Sequence, residues 1–176
     1  MNKVLGSKVD FNDYESFFAI EFMDCIDELL EKDEIQELKN YFQHCNTSRF
    51  QHSLNVAYYS YLICKVLHFD YRSAARAGML HDLFLYDWRT ADLGQNHAFY
   101  HPKEALKNSH KITNLNKIEE DAILKHMWPL CFGIPRYKES VIITIADKYC
   151  ATFEVLNQFN NLLKNKISVL KNLFSH

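Results

Sequence analysis

The chain has 176 residues, 48% hydrophobic and 24% charged, a composition that suits one globular domain and excludes a disordered chain. Lys and Arg number 20 against 22 Asp and Glu, and the net charge of -2 argues against nucleic acid as a partner. Four glycines and three prolines are too few for the turns of a many-stranded β fold, and no apolar run reaches the ~18 residues that would suggest a membrane span.

Periodicity predicts helix after helix, an all-α domain over residues 1–176. The first helix is expected over Tyr14–Leu30, with Phe18, Phe22, Ile26 and Leu29 on one face. A short one follows over Asp33–His44. A long one starts after Thr47 or Ser48, either of which suits an N-cap, and runs to Leu67. Asp70 caps a helix ending at His81. Leu83–Tyr100 reads as irregular. Pro102 is expected at the first position of a helix to Lys111, and Asn116 opens another that ends before Pro129. Trp128–Arg136 reads as a loop. A helix over Lys138–Asn157 follows, although its β-branched VIITI run also fits a strand. The last helix, Asn160–Phe174, carries a stripe of Leu163, Ile167, Leu170 and Phe174. The N-terminal MNKVLGSKVDF lacks a signal peptide's apolar core. Five cysteines (Cys25, Cys45, Cys64, Cys131 and Cys150) contain no C-x-x-C pair and read as reduced thiols of a cytoplasmic protein.

Several ionisable residues sit where apolar ones are expected. His52 heads a helical stripe of Val56, Tyr59, Ile63 and Val66; alone, it reads first as a satisfied core histidine. His81 and Asp82 lie between Gly78-Met79-Leu80 and Leu83-Phe84-Leu85. Asp147 neighbours Ile143, Ala146 and Cys150 at helical spacing. A carboxylate on a buried face needs a cation, from a basic side chain or a metal. His101 stands at an expected helix start and His126 near a helix end. From His52 through His81-Asp82, His101 and His126 to Asp147, the intervals are 29, 19, 25 and 21 positions. Each interval is about one helix plus one connection, so several helices can aim one ligand each at a common centre.

These stretches (SRFQHSLNVA, AARAGMLHDLFLYDW, HPKEAL, ILKHMWPL and IITIADKYCA) resemble the HD-domain superfamily of metal-dependent phosphohydrolases over residues 47–153. The resemblance implies a compact helical bundle with a central metal site. It implies that His52, His81, Asp82 and Asp147 bind one divalent metal. Asp82 then bridges to a second held by His101 and His126, as in the binuclear branch. Mixed imidazole and carboxylate ligands without cysteine suit iron or manganese. The implied activity is hydrolysis of a small phosphorylated substrate, a nucleotide or dinucleotide, by a metal-activated hydroxide. A di-iron oxygenase with the same ligand set and a non-catalytic metal- or nucleotide-binding module are the alternatives. Met127 replaces a histidine that cyclic-dinucleotide phosphodiesterases of the family carry, which argues against that substrate. No lysine closely follows the His-Asp pair.

For contact with phosphate, or for orienting a ligand, the expected cations are Arg49, one turn before His52, and Lys148, beside Asp147. Lys125 and Arg136 are weaker choices, more in keeping with solvated charges. Tyr86, Trp88 and Trp128 flank the site, where each either packs helices or stacks on a base. His97 reads as an outer support of the metal ligands or a substrate contact; His44, His68, His110 and His176 read as solvated. The outlying N- and C-terminal helices are free to cover the core or to supply a homodimer surface.

Overall fold

The computed structural model describes residues 17–173 apart from Cys45, Leu93, Gln95 and Phe132. The expected start at Tyr14 and the residues Phe174 and His176 lie outside that set, as do the side chains of Phe18, His44, Ile167 and Leu170.

Helix α1 spans Phe17–Leu30 and buries Phe22, Ile26 and Leu29 completely, the face its periodicity predicts. Helix α2 spans only Asp33–Glu37 and passes through a 3-10 turn at Leu38–Asn40 into a strand, β1, Phe42–His44. The helix expected through His44 is thus corrected. Asn40 and the aromatic pair Tyr41-Phe42 favour leaving the helix, and Tyr41 adopts an extended conformation whose carbonyl accepts the Arg49 N–H at 2.7 Å. β1 pairs antiparallel with β2, Thr47–Ser48, in a two-stranded ribbon.

Helix α3, Arg49–Val66, starts where the Ser48 hydroxyl accepts the Gln51 N–H. Asp70 caps α4, Tyr71–Leu80, in the same way through the Ser73 N–H. Helix α5 spans His97–Ile112 under an Asn96 cap, so Pro102 lies inside it and not at its start. The proline ring leaves the Ala98 carbonyl without its helical donor. The Cys131 thiol donates to that carbonyl at 2.8 Å, which satisfies it from the facing loop. Asn116 and Glu119 form a capping box at the head of α6, Lys117–Lys125.

The VIITI run is helical, and α7 continues unbroken over Lys138–Leu173. The break expected near Asn157–Asn160 does not occur, because that stretch holds weak helix formers but neither proline nor glycine. Cys25, Cys64, Cys131 and Cys150 are free thiols. Among the described residues no helix is long and apolar enough to cross a membrane.

The core forms where α3 lies against α4 and α7. Helix α4 presents Ala74, Ala75, Ala77 and Gly78, all buried. At Gly78 the helices touch backbone to backbone, so that a Cβ there would lie 2.6 Å from the Ala57 Cα. Helices α3 and α7 run antiparallel, with His52 meeting Glu154, Tyr59 meeting Tyr149 and Cys64 packing with Ile142. The stripe read from His52 is buried only at its head. Val56 is enclosed, but Ile63 and Val66 reach the surface, and the deeper face carries Leu54, Ala57, Tyr61 and Cys64.

Candidate metal centre

Six ionisable side chains converge at the middle of this bundle. His52 comes from the first turn of α3 and His81 from the residue closing α4, with Asp82 in the turn beyond it. His101 projects from the second turn of α5, His126 closes α6, and Asp147 comes from α7. All six are buried.

Three of the imidazoles are oriented by their own helices. Nδ1 of His81 donates to the Gly78 carbonyl at 2.8 Å, that of His101 to the His97 carbonyl at 2.9 Å, and that of His126 to the Ile123 carbonyl at 2.8 Å. Each Nε2 is thereby left with its lone pair facing the centre. Nε2 of His101 and Nε2 of His126 are 2.9 Å apart, and both are acceptors in this tautomer, so they need a cation between them. Asp82 Oδ1 lies 3.3 Å from the first and 3.5 Å from the second. Asp82 Oδ2 lies 3.4 Å from His81 Nε2. On the other side His52 Nε2 is 3.1 Å from Asp147 Oδ1, which in turn is 3.8 Å from His81 Nε2. Two metal-sized groups result, His52-His81-Asp82 and Asp82-His101-His126, which share Asp82.

The donors fit a metal. His81 Nε2 and Asp82 Oδ1 are buried polar atoms with no hydrogen-bond partner, and such atoms are rare unless an ion or water meets them. The electrostatics agree. Burial alone would raise the Asp82 carboxyl, but His81, His101, His126 and His52 around it hold it far below the usual carboxylate range. Burial is likewise overcome at Asp147, chiefly by the His52 hydrogen bond and by His81. Burial and the neighbouring His81 and His101 push His126 down to about 3, which keeps it a neutral ligand. Burial opposes the charged form of His52, yet its hydrogen bonds to Asp147 and Glu154 push it up to about 10.

An outer layer holds these groups. Glu154 Oε2 lies 3.1 Å from His52 Nδ1, and its Oε1 accepts from Asn55 Nδ2 at 2.9 Å. Gln43, delivered by β1, donates through Nε2 to Asp82 Oδ2 and accepts from Arg49 Nε at 2.9 Å. Arg49 is fully buried. It donates to the Phe84 and Tyr86 carbonyls, and its guanidinium carbon sits 3.5 Å from the centroid of the Phe84 ring. Arg49 thus reaches Asp82 through Gln43, with its guanidinium bonded to the Phe84 and Tyr86 carbonyls. Gln43, Asn55 and Glu154 escaped sequence reasoning. Glu154 lies two helical turns after Asp147, the one signal that pointed to it; Gln43 fell within a segment read as helix.

Asp82, Asp147, His101 and His126 open onto a cavity of about 290 Å³. Lys148 stands at its rim, where Nζ donates to the His126 carbonyl at 3.0 Å, and burial lowers its pKa against the pull of Asp147. Trp88, His97 and His101 stack in sequence, with 5.5 Å between the first two ring centroids and 4.5 Å between the last two. His97 therefore touches the site through both its ring and its carbonyl. Tyr86 contacts His97 from outside the cavity at 3.3 Å, and Met127, not Trp128, lines the wall. Lys125 is paired with Asp121 and donates to the Ile134 carbonyl, away from the site. His68 and His110 are exposed, as their sequence setting suggests.

The HD domain family model matches residues 49–152, a span that contains all six converging residues. The chain belongs to the HD-domain family. The helical bundle is the fold of that family, and the HD domain places the chain in a superfamily of metal-dependent hydrolases, in keeping with buried His and Asp groups that could hold a metal ion. No curated protein and no solved structure matches the chain.

Proposed function

We propose that this HD-domain chain is a phosphohydrolase that cleaves a phosphoester or phosphoanhydride in a small molecule, a nucleotide or dinucleotide, with two divalent transition ions. The observation carrying this reading is Asp82, whose two oxygens face different groups of imidazoles. His52, His81, Asp82 and Asp147 would hold one ion, and Asp82, His101 and His126 the other. Iron or manganese suits such a set. Bound there, the pair would acidify a shared water and neutralise charge developing on phosphoryl oxygens.

The chain's own residues set the rest. His101 and His126 arrive pre-oriented by their own helices, His126 as a neutral donor, and Gln43 holds the Asp82 carboxylate by donating to its Oδ2. Among the described residues, Lys148 supplies the one Lys or Arg side chain lining the cavity, beside Asp147, where it would meet a phosphate oxygen. Trp88, Met127 and Leu130 give the cavity apolar walls, suited to the flat face of a base. No side-chain nucleophile is required.

The test is elemental analysis of protein purified without oxygen or chelator, followed by phosphate-release assays over a panel of mono- and dinucleotides. About two metals per chain are expected, falling to about one in His101→Ala and His126→Ala, with hydrolysis lost in both. One metal or fewer, unchanged by those replacements, would refute the two-metal reading. Two irons with oxygen uptake and no phosphate release would assign the chain to oxygenase chemistry.

A further inference from the structure

We infer that the chain forms a two-fold symmetric dimer through α7, with two copies of the helix packed antiparallel along a surface stripe. Glu154 is the last buried residue of α7 among those whose side chains are described. From Val155 to Lys164 every side chain is exposed except the half-buried Gln158. Yet this stretch is not composed like a solvated helix. Ile145, Tyr149, Thr152, Leu156, Phe159 and Leu163 repeat at alternating intervals of four and three residues, the spacing of a helix-pairing seam. Ile145 is 57% exposed, Tyr149 49%, Leu156 54% and Phe159 59%. Phe153 stacks beside Tyr149 at 6.0 Å.

The stripe continues onto α3. Tyr59 packs edge-on against Tyr149 at 5.3 Å, and Ile63 and Val66, one and two turns further along α3, are exposed beside it. Together these side chains leave a row of large apolar groups open on the adjoining surfaces of α3 and α7, and a contiguous exposed apolar patch of this kind marks an interaction site.

Charge selects the occupant. Between Lys148 and Lys164 the single charged residue is Glu154, and it is turned inward to His52. A helix made for an anionic membrane surface or a nucleic acid would carry Lys and Arg along its flanks. A charged protein partner would need a complementary charge here. An uncharged, self-complementary face brings no like-charge repulsion when it meets its own copy, as an isologous interface requires. Antiparallel pairing centred between Thr152 and Leu156 sets Tyr149 against Phe159 of the other copy and Ile145 against its Leu163. The projecting half of each α7 then lies over the α3–α7 patch of the other copy, which parallel pairing would leave open.

Sedimentation equilibrium of the full chain tests this. Wild type is expected at twice the 20.8 kDa chain mass at concentrations of about 10 µM, within the range of an ordinary specific dimer. Leu156→Glu with Phe159→Glu is expected to weaken association at least ~100-fold, with helical circular dichroism unchanged because both side chains face solvent in the single chain. Leu156→Gln with Phe159→Gln repeats the test should the glutamates impair folding. Ile134→Glu, at an exposed apolar loop residue off the stripe, should leave the dimer intact. A wild-type monomer up to about 100 µM, or a dimer unaffected by both double variants, would overturn the proposal.

Discussion

Replacing Gly78 by alanine tests whether the contact between α3 and α4 positions the centre. The new methyl would meet the Ala57 Cα at 2.6 Å and the Ala57 nitrogen at 2.8 Å. Both are backbone atoms and cannot rotate away, so the two helices must part by roughly 1 Å to restore a normal contact of ~3.5–4.0 Å. Overpacking of this kind costs about 1–3 kcal/mol. Alanine's better helix propensity returns up to ~1 kcal/mol, leaving a net loss of roughly 1–2 kcal/mol. In a domain of this size that lowers Tm by about 2–8 °C. The same residue's carbonyl holds His81 Nδ1, and His52 sits one turn before the Val56 and Ala57 backbone that the methyl strikes. Metal affinity should therefore fall together with Tm. Differential scanning calorimetry and chelator competition measure the two effects. A variant with wild-type Tm and wild-type metal affinity would show that the close approach of these helices does not position the centre.

Other substitutions separate the remaining parts. Glu154→Gln keeps the shape but removes the charge behind His52, and should weaken metal binding about 10–100-fold in chelator competition; unchanged affinity would dismiss Glu154 as an orienting group. Lys148→Met should lower kcat/KM for phosphorylated substrates by ~10–100-fold while metal content and Tm stay put, and an equal loss on an uncharged ester would contradict a phosphate role. Asp121 accepts the Arg136 N–H at 2.8 Å and pairs with Lys125. Burial would raise its carboxyl, but these partners hold it below its usual value of 3.8. Its contribution is thus complete above that pH and is lost as pH falls through the lower folded value. Asp121→Asn should cost about 1–2 kcal/mol at pH 7, and urea titrations should show the gap to wild type closing below pH ~4. A gap independent of pH would mean that the carboxylate charge is not what stabilises the loop.

His52, His81-Asp82 and Asp147 were legible in the sequence because they stand out against apolar surroundings, and His101 and His126 because each sits at an expected helix end about one helix from the next. His81-Asp82 and Asp147 are charged groups inside runs that otherwise read as core, and burial gives them few alternatives to a shared cation. Helix starts were legible for a related reason, since Ser48, Asp70 and Asn116 announce themselves by cap chemistry. What the sequence hid depends on contacts between distant segments. Pro102 looks like a helix start until Cys131 is seen to satisfy the carbonyl that the proline orphans. Gln43 lay in a predicted helix, and only the ribbon it belongs to brings it over Asp82. Arg49 was legible as a nearby cation, but whether it faced solvent or core depended on the Phe84 and Tyr86 carbonyls, 35 and 37 positions away.

The local anchoring of the imidazoles bears on how such a protein tolerates change. His81, His101 and His126 each take their orientation from a carbonyl three or four positions earlier in the same segment, so none depends on the connection leading to the next. The loops at 113–116 and 128–137 can therefore change in length or composition while the imidazoles keep their aim, provided that Asn116 still caps α6 and Cys131 and Arg136 keep their bonds to Ala98 and Asp121. The second of these borders the cavity, so a change of substrate preference by loop replacement is open to this scaffold without rebuilding its centre.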